Sequence, residues 1–133
     1  MPPDTAEVRA WLEKARHDLR TAELALEQTP PITDTAGFHV QQAVEKTLKA
    51  YLVWSGREFE RIHDLRALAL ACARCDDAFS AWIDRIAPLS AYAVRFRYPG
   101  LTDPSLENVR VALNLADEVW RFVTARLPAD AVP

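Results

Sequence analysis

Apolar residues recur at helical spacing along most of the chain. Val8, Trp11, Leu12, Ala15, Leu19, Ala22 and Leu26 fall on one helix face, with Glu13, Arg16, Arg20 and Glu27 on the other. Asp4, with Glu7 three residues later, makes a capping-box opening in which Asp replaces the usual Ser or Thr. Pro30 and Pro31 stop this first helix after about Gln28. A second helix starts near Asp34 or Thr35 and runs to about Ser55. Its buried stripe reads Val40, Val44, Leu48, Tyr51 and Leu52, and Gly56 is placed to end it. A third helix begins at His63 or Asp64 and carries Leu65, Leu68, Ala69 and Cys72 inward. Asp76 and Asp77 cap a fourth, with Phe79, Trp82, Ile83, Ile86 and Leu89 inside and Pro88 kinking or ending it. Asp103 then reads as an N-cap and Pro104 as the first residue of a last helix that runs to about Leu127. Residues 128–133 are expected to fray. No strand alternation and no internal repeat is present. The pattern predicts an all-α, antiparallel up-and-down bundle of four to five helices, with its core over residues 4–127.

Composition narrows this picture. A chain of 133 residues and 15.0 kDa is one domain with room for a real core. Only 3 Gly argue against a turn-rich β sandwich or barrel. No apolar run approaches the ~18 residues of a membrane span. The charged, periodic N-terminus lacks a signal-peptide core, so the expected location is cytoplasmic. A net charge of −3 excludes a generic basic nucleic-acid binder; any polyanion site must be a local patch. Cys72 and Cys75 are half a zinc site without a second pair, and they lie in an Ala-rich helical run. They read as small buried residues.

Several short motifs occur in a recognisable order. They are W-L-E-K-A-R-H-D-L from Trp11 to Leu19, F-H-V-Q-Q-A-V-E-K-T-L-K-A from Phe38 to Ala50, His63-Asp64-Leu65, and Arg97-Tyr98-Pro99 with Tyr92 upstream. Together they resemble the HEPN family of small helical domains. The resemblance implies a five-helix domain, often a homodimer, associated with nucleotide or RNA. Many relatives are encoded beside a minimal nucleotidyltransferase as a toxin–antitoxin pair. Others are metal-independent ribonucleases with an arginine and a histidine separated by four to six residues.

Three groups of residues carry candidate chemistry. Arg57 and His63 have the ribonuclease spacing; histidine can move the protons and arginine can hold the scissile phosphate. Glu58 beside Arg57 would repel phosphate, and the plainer reading makes Arg57 a solvated loop charge and His63, with Asp64, the start of helix three. The second group is the polar run of helix two. His39, Gln42, Lys46 and Lys49 share a face, and Gln41, Glu45 and Lys49 form an adjacent strip. The lysines suit a phosphate and the amides a base edge, unless Glu45–Lys49 is simply an exposed i,i+4 ion pair. A metal at His39, Glu45 and His63 is set aside for want of ligand spacing, and no cofactor is expected. The third group is Arg95-Phe96-Arg97-Tyr98, whose arginines are the only charges between Ile86 and Thr102. A basic aromatic turn suits a phosphate with a stacked base, or else anchors the bundle end.

The leading expectation is a homodimeric nucleotide- or RNA-binding module that works with a separately encoded nucleotidyltransferase. Gln42, Lys46, Lys49, Asp64, Arg95, Arg97 and Tyr98 would bind the ligand, with a hydrogen bond from His63. A metal-independent endoribonuclease toxin using Arg57 or Arg97 with His63 is the second reading. A protein-interaction bundle whose polar strip pairs internally is the third. Two observations separate these readings: His63 within about 7 Å of an arginine in an open cleft would raise the ribonuclease, and lysines whose partners are all internal acids would favour the interaction bundle.

Overall fold

In the computed structural model, which describes residues 4–59, 62–94, 99, 100 and 102–133, the first helix opens as its sequence dictates. The Asp4 carboxylate accepts from the Glu7 backbone N–H at 3.0 Å, and α1 runs Thr5–Leu26. After a turn at residues 27–32, α2 runs Thr33–Trp54 without a side-chain cap at its start. Its end is a Schellman motif. Gly56 has φ +69°, its N–H bonds Val53 O at 3.1 Å, and Arg57 N–H bonds Leu52 O at 2.9 Å. Glycine is needed there, because a side chain is strained at that φ.

Asp64 caps α3 (Leu65–Cys75) by accepting from Arg66 N–H at 3.2 Å. The expected fourth helix is broken. Asp76 caps a 3-10 stretch over Asp77–Trp82, followed by α4 (Ile83–Ile86), a second 3-10 stretch Ala87–Ser90 holding Pro88, and α5 (Ala91–Val94). Pro88 has no N–H to continue an α-helical ladder, so the break falls beside it. The last helix, α6, runs Leu106–Thr124. Ser105, not Asp103, is its N-cap, accepting from Asn108 N–H at 3.0 Å; Asp103 and Pro104 lie outside the helix. With the broken segment counted once, the described residues form a five-helix bundle without strands.

Helix α2 is the centre of the bundle. It packs along α1 and also meets α3, α5 and α6. The core joins Val8, Leu12 and Leu19 of α1 with Val40, Val44, Leu48 and Leu52 of α2, and with Leu65, Leu68, Phe79, Ile86, Val109 and Val123. An aromatic chain runs Tyr51–Phe79–Phe122–Trp82 at ring spacings of 4.6, 4.9 and 4.9 Å.

The end of the chain departs from expectation. Residues 129–131 form a 3-10 turn rather than fraying, and Ala131 is fully buried. Two arginines of α1 hold this tail. Arg9 donates to the carbonyls of Asp130 and Val132 at 3.3 and 3.1 Å, and Arg16 to that of Pro133 at 2.8 Å.

One close approach is testable. A Cβ on Gly37 would lie 2.6 Å from Cδ1 of Tyr92, so glycine lets that ring seat on α2. Alanine would add helix propensity worth about 1 kcal/mol. It would also displace a packed ring, and overpacking costs roughly 1–3 kcal/mol. Gly37→Ala should therefore lower the melting temperature; a rise would mean that Tyr92 moves aside freely.

Candidate functional site

The polar run of α2 lies inside the bundle. Gln41, Glu45 and Lys49 are buried, because α2 has neighbours on most sides and its polar stripe meets them too. These groups satisfy one another. Glu45 Oε1 accepts from Gln41 Nε2 at 3.2 Å, and Gln42 Nε2 donates to Gln41 Oε1 at 2.7 Å. Glu45 Oε2 accepts from Lys49 Nζ at 3.0 Å and is 3.2 Å from His63 Nδ1. The Lys49 ammonium also lies 5.5 Å from the Trp11 ring centroid and 5.6 Å from that of Phe59. The Trp11 and Phe59 rings meet edge to face at 5.6 Å, and together they roof the ion pair. The i,i+4 spacing of Glu45 and Lys49 is the one read from sequence, but the pair is buried rather than solvated.

A second pairing ties α1 to α2. Asp18, 7% exposed, takes Lys46 Nζ on one oxygen at 2.6 Å and His39 Nδ1 on the other at 2.7 Å. Both candidate ligand lysines therefore face acids of the same chain, the arrangement expected of an interaction bundle rather than of a lysine-based ligand site. No buried side-chain nitrogen or oxygen lacks a partner among the described residues. Closing the network matters, since an unpaired buried charge is far costlier than a paired one.

His63 is the part of this network that reaches solvent. Its side chain is 70% exposed while the Glu45 carboxylate behind it is 6% exposed. A carboxylate on Nδ1 favours the proton there and turns Nε2 outward. Asp64 beside it serves as the α3 cap. Arg57 is exposed at the end of the Schellman motif, and its guanidinium has no partner among the described residues. It lines a pocket of about 360 Å³ with Glu7, Val53, Gly56, Glu58 and Phe59; His63 is not part of that lining. Arg95, Arg97 and Tyr98 lie outside the described residues.

Other chemistry-bearing groups are quieter. Cys72 is buried with Sγ 3.7 Å from Leu48 O, and burial pushes its thiol well above the ordinary range. That argues against a nucleophile or a metal ligand at this position. No three His, Cys, Asp or Glu side chains gather as a metal site among the described residues. No described helix is long and apolar enough to cross a membrane. The coupling of Asp18 to Lys46 and His39 is not legible in the sequence; the only signal is an acid on the largely apolar face of α1.

Breaking the buried pair from one side should be expensive. Lys49→Met leaves Glu45 charged and buried, so a loss of about 3–5 kcal/mol is expected in urea unfolding. Adding Glu45→Leu should restore much of it, because an apolar pair removes the stranded charge. A single-variant cost below ~1 kcal/mol would mean that water reaches the pair.

The comparisons agree with this architecture. A family model described as HEPN domain matches residues 8–126. No curated protein matches the chain. Among solved structures, TT1696 from Thermus thermophilus is similar at 27% identity and a TM-score of 0.79, over 92% of this chain and 99% of that one.

Proposed function

The chain belongs to the HEPN domain family, and from that membership we propose that it is a nucleotide- or RNA-binding module whose contact surface centres on His63. The observation that carries this reading is the exposed imidazole keyed by the buried Glu45 carboxylate. A side chain held from behind loses less freedom when it meets a ligand. Arg57, without a partner among the described residues, supplies charge for a phosphate. Arg95 and Arg97 add charge, and Tyr98 a stacking face, in the basic turn marked by the sequence. Lys46 and Lys49 take a different part from the one their spacing suggests: they hold Asp18 and Glu45 in place. Gln42 extends the same network.

The test is fluorescence anisotropy with a short single-stranded RNA and with a mononucleotide. His63→Ala and Arg97→Ala should each weaken binding about tenfold or more, the scale of a lost charge-assisted hydrogen bond. RNA affinity should fall steeply with salt. Absence of binding at millimolar ligand would remove the proposal and leave a bundle that only contacts other proteins. A metal-independent ribonuclease is the second reading, favoured by the same Glu45–His63 contact, since a carboxylate-oriented histidine suits proton transfer. Cleavage would then survive EDTA and drop at least ~100-fold in His63→Ala.

The same proposal includes a cytoplasmic homodimer that works with a separately encoded nucleotidyltransferase. Support for self-association comes from a mostly apolar groove of about 350 Å³ between the 83–94 segment and α6, where Pro88, Leu89, Tyr92, Val111 and Leu115 are joined by Arg85 and Asn108. Val111 and Val94 stand 64% and 62% exposed, a poor arrangement for a lone domain. Light scattering should give twice the 15.0 kDa chain mass, and Val111→Glu should halve it. Wild type that stays monomeric at tens of micromolar would remove the dimer. Co-purification with the product of an adjacent nucleotidyltransferase gene tests the remaining partner.

A further inference from the structure

A separate groove of about 370 Å³ lies between α1 and α6, away from His63. Arg16, Leu19, Arg20 and Glu23 line it from α1, a single stripe at helical spacing, and Asp117 and Trp120 line it from α6. Leu19 is buried and makes an apolar floor; the half-buried Trp120 adds an aromatic wall. Around them stand four charges, two of each sign. Among the described residues, none of the four forms an ion pair. Arg16 and Arg20 are like charges one turn apart, an unfavourable spacing on a helix. Arg16 is held in place by its bond to Pro133 O at 2.8 Å, and Arg20 has no partner among the described residues. Burial pushes the Asp117 carboxyl up, with Arg121 pulling it back only in part.

We propose that this groove binds a small zwitterion of the α-amino-acid class with a large apolar or aromatic side chain. Its carboxylate meets Arg16 and Arg20, its ammonium meets Glu23 and Asp117, and its side chain covers Leu19 and Trp120. A simple anion would relieve the arginines but face two carboxylates. A simple cation would do the reverse. A ligand carrying both signs neutralises all four groups at once, and the apolar floor and indole wall select one with an apolar body. The volume lies within the range of small-molecule sites.

The probe is L-phenylalanine, titrated into the full chain and followed by backbone amide shifts in nuclear magnetic resonance. Shifts should be confined to residues 16–23 and 117–121. Phenylacetate lacks the ammonium and phenethylamine the carboxylate, so each should bind at least about tenfold more weakly. Arg20→Ala should weaken phenylalanine by a similar factor. Arg20 is exposed and has no partner among the described residues, so an unchanged melting curve will show that this variant folds. Arg110→Ala, on the exposed surface outside the groove, should leave binding as it was. Three results would each overturn the proposal. They are no shifts at ~20 mM phenylalanine, phenylacetate binding as tightly as the amino acid, and adenosine monophosphate displacing it from the same amides.

Discussion

A helix with neighbours on most of its sides cannot keep a polar stripe in water, and that constraint organises this bundle. Helix α2 carries Gln41, Glu45 and Lys49 into the interior, where each charge must find its counterpart. The partners come from three places. Lys49 lies one turn beyond Glu45 on the same helix, Asp18 comes from α1 to meet Lys46, and His63 arrives from the loop before α3. Trp11 and Phe59 close the pair off from above. The 2.6 Å contact between Asp18 and Lys46 adds to the apolar packing in fixing α1 on α2, because sliding would part a buried carboxylate from its cation.

The same closure explains which surface groups stay available. A lysine paired with a buried acid has less to offer a phosphate, and Lys46 and Lys49 are both so paired. What reaches solvent is the edge of the network, the His63 ring. Its orientation is set by a carboxylate that is itself locked by a lysine and an amide. The arrangement resembles the layered support behind many functional histidines, in which the exposed group is fixed by residues that never touch the ligand.

Much of the fold is legible from residue order. The Asp4 cap, the Gly56 stop, the Asp64 cap and the Pro88 break each depend on neighbours a few residues away, and each occurs where local chemistry places it. The α6 start shows how narrow such readings are: Asp103-Pro104 and Ser105 both carry capping signals, and Ser105 makes the bond. The burial of Glu45 and Lys49 is not legible. Periodicity tells which residues share a face but not what covers it, and the cover comes from Trp11 and Phe59, remote in sequence from each other. The tail departs from expectation for the same reason. Nothing within residues 128–133 signals that two arginines of the first helix will hold their carbonyls.

That tail has a consequence for synthesis. Arg9 and Arg16 bind partners 117 to 123 positions further along the chain. While the nascent chain emerges from the ribosome, α1 and α2 can pair early, yet the seat of Ala131 stays empty until the segment that carries it is released. The tail contacts of Arg9 and Arg16 thus form later than the pairing of α1 with α2, although both arginines belong to the first helix. A polypeptide cut short before Ala131 would leave that seat open and take from Arg16 its bond to Pro133 O, and so would differ by its surface from the chain that carries the tail.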